Sequence, residues 1–303
     1  MSKNGVAPIT NVVVLMLENR SFDNVLGTLY PRSDSFEGLP LDSKNYSSNG
    51  VAHRVNNNPD STAVPPIDPG EAFADMNLQI FGNTDGTGEA SMSGFVLDYL
   101  ATSQQYPDIP TKPAFWYTDL PRTDPVTGEH ARAKEIMNYF TSSGDSPQMA
   151  VTGELAQAFA VTDSWFGSCP TQTFANRLFL TCASSGGFVD DYEYIEFILK
   201  EARIPNLPSI FERLDTLRPD TPSIENWKVY FHDVPGSVFL IDYVFQALTS
   251  FSGNVCHFDG NKPEIEPLLT PTFLDDLKNG TLPRFSLIEP MYANHPDNSP
   301  PLF

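Results

Sequence analysis

Six consecutive apolar residues, Val12-Val13-Val14-Leu15-Met16-Leu17, run into the cluster Glu18-Asn19-Arg20-Ser21-Phe22-Asp23. The run is too short for a typical buried helix and is rich in β-branched residues, the pattern of a strand covered on both faces in a parallel sheet. Such a strand fixes the place of the polar cluster after it. A carboxylate, an amide and a guanidinium stand at the C-terminal end of a strand, the edge at which open α/β sheets bind ligands.

The rest of the chain repeats the alternation. Helices are predicted over Gly94–Leu100, Pro147–Phe159, Phe174–Ala183, Leu207–Leu214 (with Pro208 in its first turn) and Thr272–Leu277, the last stopped by Asn279-Gly280. Strands are predicted at Phe159–Val161, Trp227–Phe231 and Phe285–Glu289. The 27 prolines and 19 glycines disfavour a helical bundle, so the pattern indicates α/β architecture with a mostly parallel central sheet and helices on both faces. One domain over residues 1–303 is expected, with a loop-like insertion from about Pro31 to Gly88, where Ser, Asn, Asp, Pro and Gly recur. Cys169, Cys182 and Cys256 are odd in number and irregular in spacing. They give neither a disulfide framework nor a zinc pattern and read as reduced thiols.

Charge narrows the partners. Eighteen Lys and Arg stand against 38 Asp and Glu, a formal net charge of −20, which disfavours nucleic acid and anionic bilayers. A divalent cation held by a few carboxylates would reverse that sign locally. The first residues lack the cationic start and apolar core of a secretory signal, and no stretch is long and apolar enough to span a bilayer, so the expectation is cytoplasmic by default.

A second cluster lies at Ala160-Val161-Thr162-Asp163-Ser164-Trp165-Phe166, continuing through Cys169-Pro170-Thr171-Gln172-Thr173-Phe174-Ala175-Asn176-Arg177. Thr173 stands where a helix begins. A hydroxyl there ordinarily caps an amide, but a helix N-terminus also favours anions. Of the five histidines, His53 and His130 lie in polar, loop-like sequence and read as surface or structural residues.

The two clusters resemble the ENRSFD element and the nucleophile segment of the phosphoesterase family, which contains bacterial and plant non-specific phospholipases C and an acid phosphatase branch. Further matches occur in order: Ser93-Gly94-Phe95, Ser185-Gly186-Gly187, Ile210-Phe211-Glu212-Arg213-Leu214, Trp227-Lys228-Val229-Tyr230 and Ile288-Glu289-Pro290. The resemblance covers essentially the whole chain. It implies an alkaline phosphatase-like three-layer α/β/α sandwich and phospholipase C-type cleavage of a phospholipid or small phosphoester. Thr173 takes the nucleophile's place by its three-residue spacing to Asn176-Arg177. Glu18 and Asn19 become ligands of a divalent metal ion such as Ca or Mg, consistent with hard oxygen donors. Asn176, Arg177, His232 and His257 become phosphate contacts, with Arg177 equally open to a purely anchoring role. His295, in Asn294-His295-Pro296, matches a catalytic histidine that contacts phosphate or donates to the leaving oxygen.

Three departures accompany the match. Ala175 replaces a proline, and Asn294 an aspartate. Family members also continue past this point to a strand ending in Asp-Glu and then His-Gly-Gly, which supplies further metal ligands, whereas this sequence ends at Phe303. Asp23, Asp190-Asp191 and Asp275-Asp276 are the available replacement carboxylates, and none follows an apolar strand. The expectation is a fold incomplete at its C-terminus, a fragment with an exposed sheet edge and poor activity when taken alone. An acid phosphatase acting on monoesters, and a non-catalytic relative that binds phosphorylated ligands or a partner, are the competing expectations.

Overall fold

The computed structural model describes residues 8–17, 20–40, 42–56, 69–105, 129–142, 148–259 and 271–291. The chain divides into two compact units, one comprising Met1–Glu18 with Thr173–Pro301 and the other Asn19–Gln172. The first unit opens with β1 (Val12–Leu15). The second contains α1 (Phe22–Leu26), strands β2 (Lys44–Tyr46) and β3 (Ala52–Arg54), and helices α2 (Phe73–Phe81), α3 (Phe95–Gln105), α4 (Glu129–Ile136) and α5 (Ala150–Ala158). The chain then returns to the first unit with α6 (Thr173–Cys182), α7 (Asp191–Glu201), α8 (Ile210–Leu217), α9 (Ser223–Asn226) and β4 (Trp227–Phe231). After these come α10 (Gly236–Leu240), α11 (Asp242–Thr249), β5 (Val255–His257), α12 (Phe273–Asn279) and β6 (Phe285–Ile288).

The four strands of the first unit form an all-parallel sheet in the order β1-β6-β4-β5. The register sets Val12 and Trp227 on either side of Phe285, and Phe231 beside His257. Because strand side chains alternate in direction, β4 sends Trp227, Val229 and Phe231 to one face. There they join Leu178 of α6, Tyr194 of α7, Phe211 of α8, Val238 of α10 and Val244 of α11 in one core. Burying each such large apolar side chain stabilises the fold by roughly 1.5–3 kcal/mol.

The intervening Lys228 and Tyr230 meet α12 on the other face, where Nζ and the hydroxyl each donate to Asp276 Oδ2 at 2.6 Å. The second oxygen of Asp276 accepts from Thr281 Oγ1 at 2.7 Å. The buried carboxylate is thus fully engaged, as a charge taken out of water must be. With helices on both faces, the first unit is the expected α/β/α sandwich with a mostly parallel sheet.

One expectation about β1 is overturned. The run Val12–Leu17 reads as a doubly covered strand, yet Val12, Val13, Leu15 and Leu17 are exposed. Among the described residues β1 pairs with β6 alone and lies at the sheet edge. Only Val14 and Met16 of this run pack on the core.

Three other boundaries differ from expectation. The segment expected to be loop contains the β2–β3 hairpin and α2. Its inward positions are polar: Asn45 and His53 face each other in the hairpin, and Asn77 and Gln79 are the buried residues of α2. The most buried positions of these elements are therefore polar, in α2 beside the half-buried Met76, Leu78 and Ile80. The expected strand at Phe159–Val161 does not form. Helix α5 ends at Ala158, and the Phe159 amide closes that helix on Leu155 O. Pro208 precedes α8 rather than entering it, because Ser209 is the cap and accepts from Glu212 N at 3.3 Å.

In the second unit, Ser21 caps α1 by accepting from Asn24 N at 3.1 Å. Asp98 of α3, 1% exposed, accepts from Gly70 N at 3.1 Å and from Gln79 Nε2 at 2.8 Å, tying α3 to α2 and to the loop before it. Burial pushes its carboxyl up to about 7, with the Gln79 bond opposing and nearby Asp75 adding to the rise. All three cysteines are free of disulfides, with Cys256 buried and the other two partly so.

Candidate active site

Three parallel strands of the first unit deliver polar residues where they end. His232 follows the last residue of β4, His257 is the last residue of β5 with Asp259 two positions on, and Glu289 follows β6. The strand ends are laced together by backbone bonds. Phe258 N donates to Phe231 O, and Glu289 N to Tyr230 O, both at 2.8 Å. The side chains therefore stand on rigid backbone at the sheet's carboxyl edge.

Glu289 is buried, and its Oε1 accepts from Ser237 N at 2.8 Å and from Ser237 Oγ at 2.7 Å. Ser237 lies in the first turn of α10, so the carboxylate meets the positive end of that short helix. The bonds also brace the loop His232–Pro235 that joins β4 to α10. His257 Nδ1 lies 3.4 Å from Asp259 Oδ1, and His232 Nε2 lies 3.8 Å from Asp259 Oδ2. The two imidazole centroids are 6.0 Å apart. Both histidines singled out from sequence are thus brought together. Asp259 and Glu289 are the partners that sequence reasoning left without a role. The signal for Glu289 was a carboxylate at the end of the predicted strand Phe285–Glu289, whereas the strand before Asp259, β5, was not predicted.

Helix α6 holds the other predicted group. Thr173 is its first residue and is partly buried, Asn176 is partly buried, and Arg177 is buried. The amide of Phe174 donates to Asp191 Oδ1 at 2.9 Å. The Phe174 ring meets Tyr194 edge-on at 5.6 Å, and the Tyr194 hydroxyl donates to Leu240 O at 2.8 Å. The first turn of α6 is therefore tied through α7 to the end of α10, the helix that Glu289 holds at its start. Burial pushes the Tyr194 hydroxyl well above its ordinary range, with Cys182 adding to the shift, so it stays a donor at any working pH.

Glu18, Asn19 and His295 lie outside the described residues. Among the described residues no group of three or more His, Cys, Asp or Glu side chains is arranged to hold a metal ion. The replacement carboxylates have other work. Asp190 caps α7 at Tyr192 N, Asp191 holds Phe174 N, Asp275 forms a capping box with Thr272, and Asp276 pairs with Lys228. Asp23 lies in the first turn of α1, its carboxyl raised by burial and by Glu37, with Arg32 opposing. The described residues do not fit a metal centre by themselves.

Comparison with known proteins shows the family. A family model described as "Phosphoesterase family" matches residues 9–302. Non-specific phospholipase C1 of Arabidopsis thaliana is 28% identical over 297 residues, covering 94% of this chain and 43% of that protein. Non-specific phospholipase C6 of the same plant is 28% identical over 305 residues, covering 94% of this chain and 44% of its own length. Non-specific phospholipase C3 is 25% identical over 297 residues, with 95% and 46% covered. The chain spans less than half the length of these curated relatives. No helix among the described residues is long and apolar enough to cross a membrane.

Proposed function

The chain belongs to the phosphoesterase family, and from that premise we propose that it hydrolyses phosphate esters, with phospholipase C-type cleavage of a phosphodiester as its reaction. The observation that carries the reading is the pairing of His232 and His257 over Asp259 at the carboxyl edge of the parallel sheet. Phosphoryl oxygens need donors fixed in advance of the reaction, and imidazole N–H groups can supply them.

In this reading the Thr173 hydroxyl attacks phosphorus and gives up its proton to solvent water. The bond from phosphorus to the glycerol oxygen breaks, and the electron pair and a proton go to that oxygen, releasing diacylglycerol. Water then cleaves the phosphoryl–Thr173 ester and frees the phosphorylated headgroup. The N-terminus of α6 favours the anionic nucleophile and adduct, and Asn176 and Arg177 add donors on the same helix. His295 is the donor to the leaving oxygen. Glu18 and Asn19 are the residues offered to a divalent cation, which would neutralise phosphoryl charge when bound.

The test is release of phosphocholine from phosphatidylcholine beside hydrolysis of p-nitrophenyl phosphate, with Ca²⁺, Mg²⁺ or Mn²⁺ supplied. Diester turnover that falls at least about 100-fold in Thr173→Ala supports the proposal. Turnover unchanged in that variant removes Thr173 as nucleophile, and turnover of the monoester alone replaces the reading with a phosphatase. No turnover of either substrate overturns hydrolysis by this chain and leaves a phospho-ligand binder.

A further inference from the structure

The strand-end cluster is graded in depth. His257 is 3% exposed and packs edge-on against Phe231 at 5.4 Å, so it sits in the wall and not at the opening. Asp259 is 17% exposed, and His232 is 29% exposed. One carboxylate divides its two oxygens between the two rings, Oδ1 toward His257 and Oδ2 toward His232.

We infer that Asp259 is a positioning residue. His257, fixed in the core, holds the carboxylate, and the carboxylate orients His232, the member of the trio that reaches a phosphoryl oxygen. The inference rests on the phosphoester reading of this edge and divides between the two histidines a role that the sequence assigns equally to both. A nucleophile or acid–base group oriented by a second residue that a third holds in place is a recurring catalytic arrangement. The 3.8 Å between Asp259 and His232 exceeds a hydrogen bond, and such contacts commonly tighten only when the ligand is in place.

The geometry specifies where the ring protons sit. A neutral imidazole carries its proton on the nitrogen that faces a carboxylate. His257 is therefore the Nδ1–H tautomer and His232 the Nε2–H tautomer. The remaining nitrogen of His232, Nδ1, is buried and has no hydrogen-bond partner among the described residues. With Nδ1 buried, the N–H that His232 can offer a phosphoryl oxygen is Nε2–H, the one that Asp259 flanks at 3.8 Å.

The test is ¹⁵N NMR of the ring nitrogens in the full chain, in the wild type and in Asp259→Asn, with His232→Gln for assignment, together with titration by inorganic phosphate. The expected wild-type result is Nδ1–H for His257 and Nε2–H for His232. In Asp259→Asn the His232 preference is lost and phosphate binds about 10-fold more weakly. The opposite tautomer at either ring in the wild type overturns the inference even where the variant does not fold, and so does a His232 spectrum unchanged by Asp259→Asn. Correct tautomers that respond to Asp259→Asn, in a chain that neither binds phosphate nor hydrolyses a phosphoester, uphold the positioning role and overturn the hydrolase reading instead.

Discussion

Asp98 shows how a single carboxyl couples this protein to pH. Its folded value is raised to about 7 by burial in the first place, against about 3.9 in an unfolded chain. Between those values the native state holds a proton that the unfolded state has released, so this group's contribution to stability is greatest at low pH and falls as pH rises through this window. Urea denaturation from pH 4 to 7 should show a decline that Asp98→Asn flattens, by on the order of 4 kcal/mol at pH 7, given a rise of about 3 units at about 1.4 kcal/mol each. Asp215 has the opposite sign. Burial raises its carboxyl, but bonds from Ser223, Trp227, Asn226 and Tyr243 together bring it below the ordinary range. Neither residue was legible in the sequence, because what distinguishes them is burial and distant donors. His232 and His257 were legible as residue types, whereas Asp259 required the three-dimensional fact that one carboxylate faces both.

At the scale of elements, close approach matters as much as periodicity. A Cβ placed on Gly94 would lie 1.7 Å from Leu78 O, so α2 and the entry to α3 meet through bare backbone. Gly94→Ala has no flexible side chain to push aside and should destabilise the second unit by about 3 kcal/mol or more, read as a lowered denaturant midpoint. Ser93-Gly94-Phe95 is visible in the sequence as a motif, and the structure supplies the physical reason for its glycine. Helices α6, α8 and α12 and strands β4 and β6 were readable because their core positions are apolar. The β2–β3 hairpin and α2 were not, since Asn45, His53, Asn77 and Gln79 occupy the positions where apolar residues would have announced them.

For the molecule as a whole, the β1 edge, unpaired on one side among the described residues, and the net charge of −20 oppose each other. An unpaired apolar edge invites pairing with other chains, and mutual repulsion resists it over a Debye length of about 10 Å at 0.1 M salt, about 3 Å at 1 M. Light scattering should find one species at low salt and association near 1 M, with Val13→Lys suppressing that association. The same strand sets a timetable. Asn11 Nδ2 donates to Leu282 O across 271 positions of sequence, and β1 finds its neighbour only when β6 exists. At a ribosome adding roughly 5–20 residues per second, the apolar run Val12–Leu17 spends roughly 15–50 s outside the tunnel or within it before its partner strand is made, the interval in which a holding chaperone would have most to do.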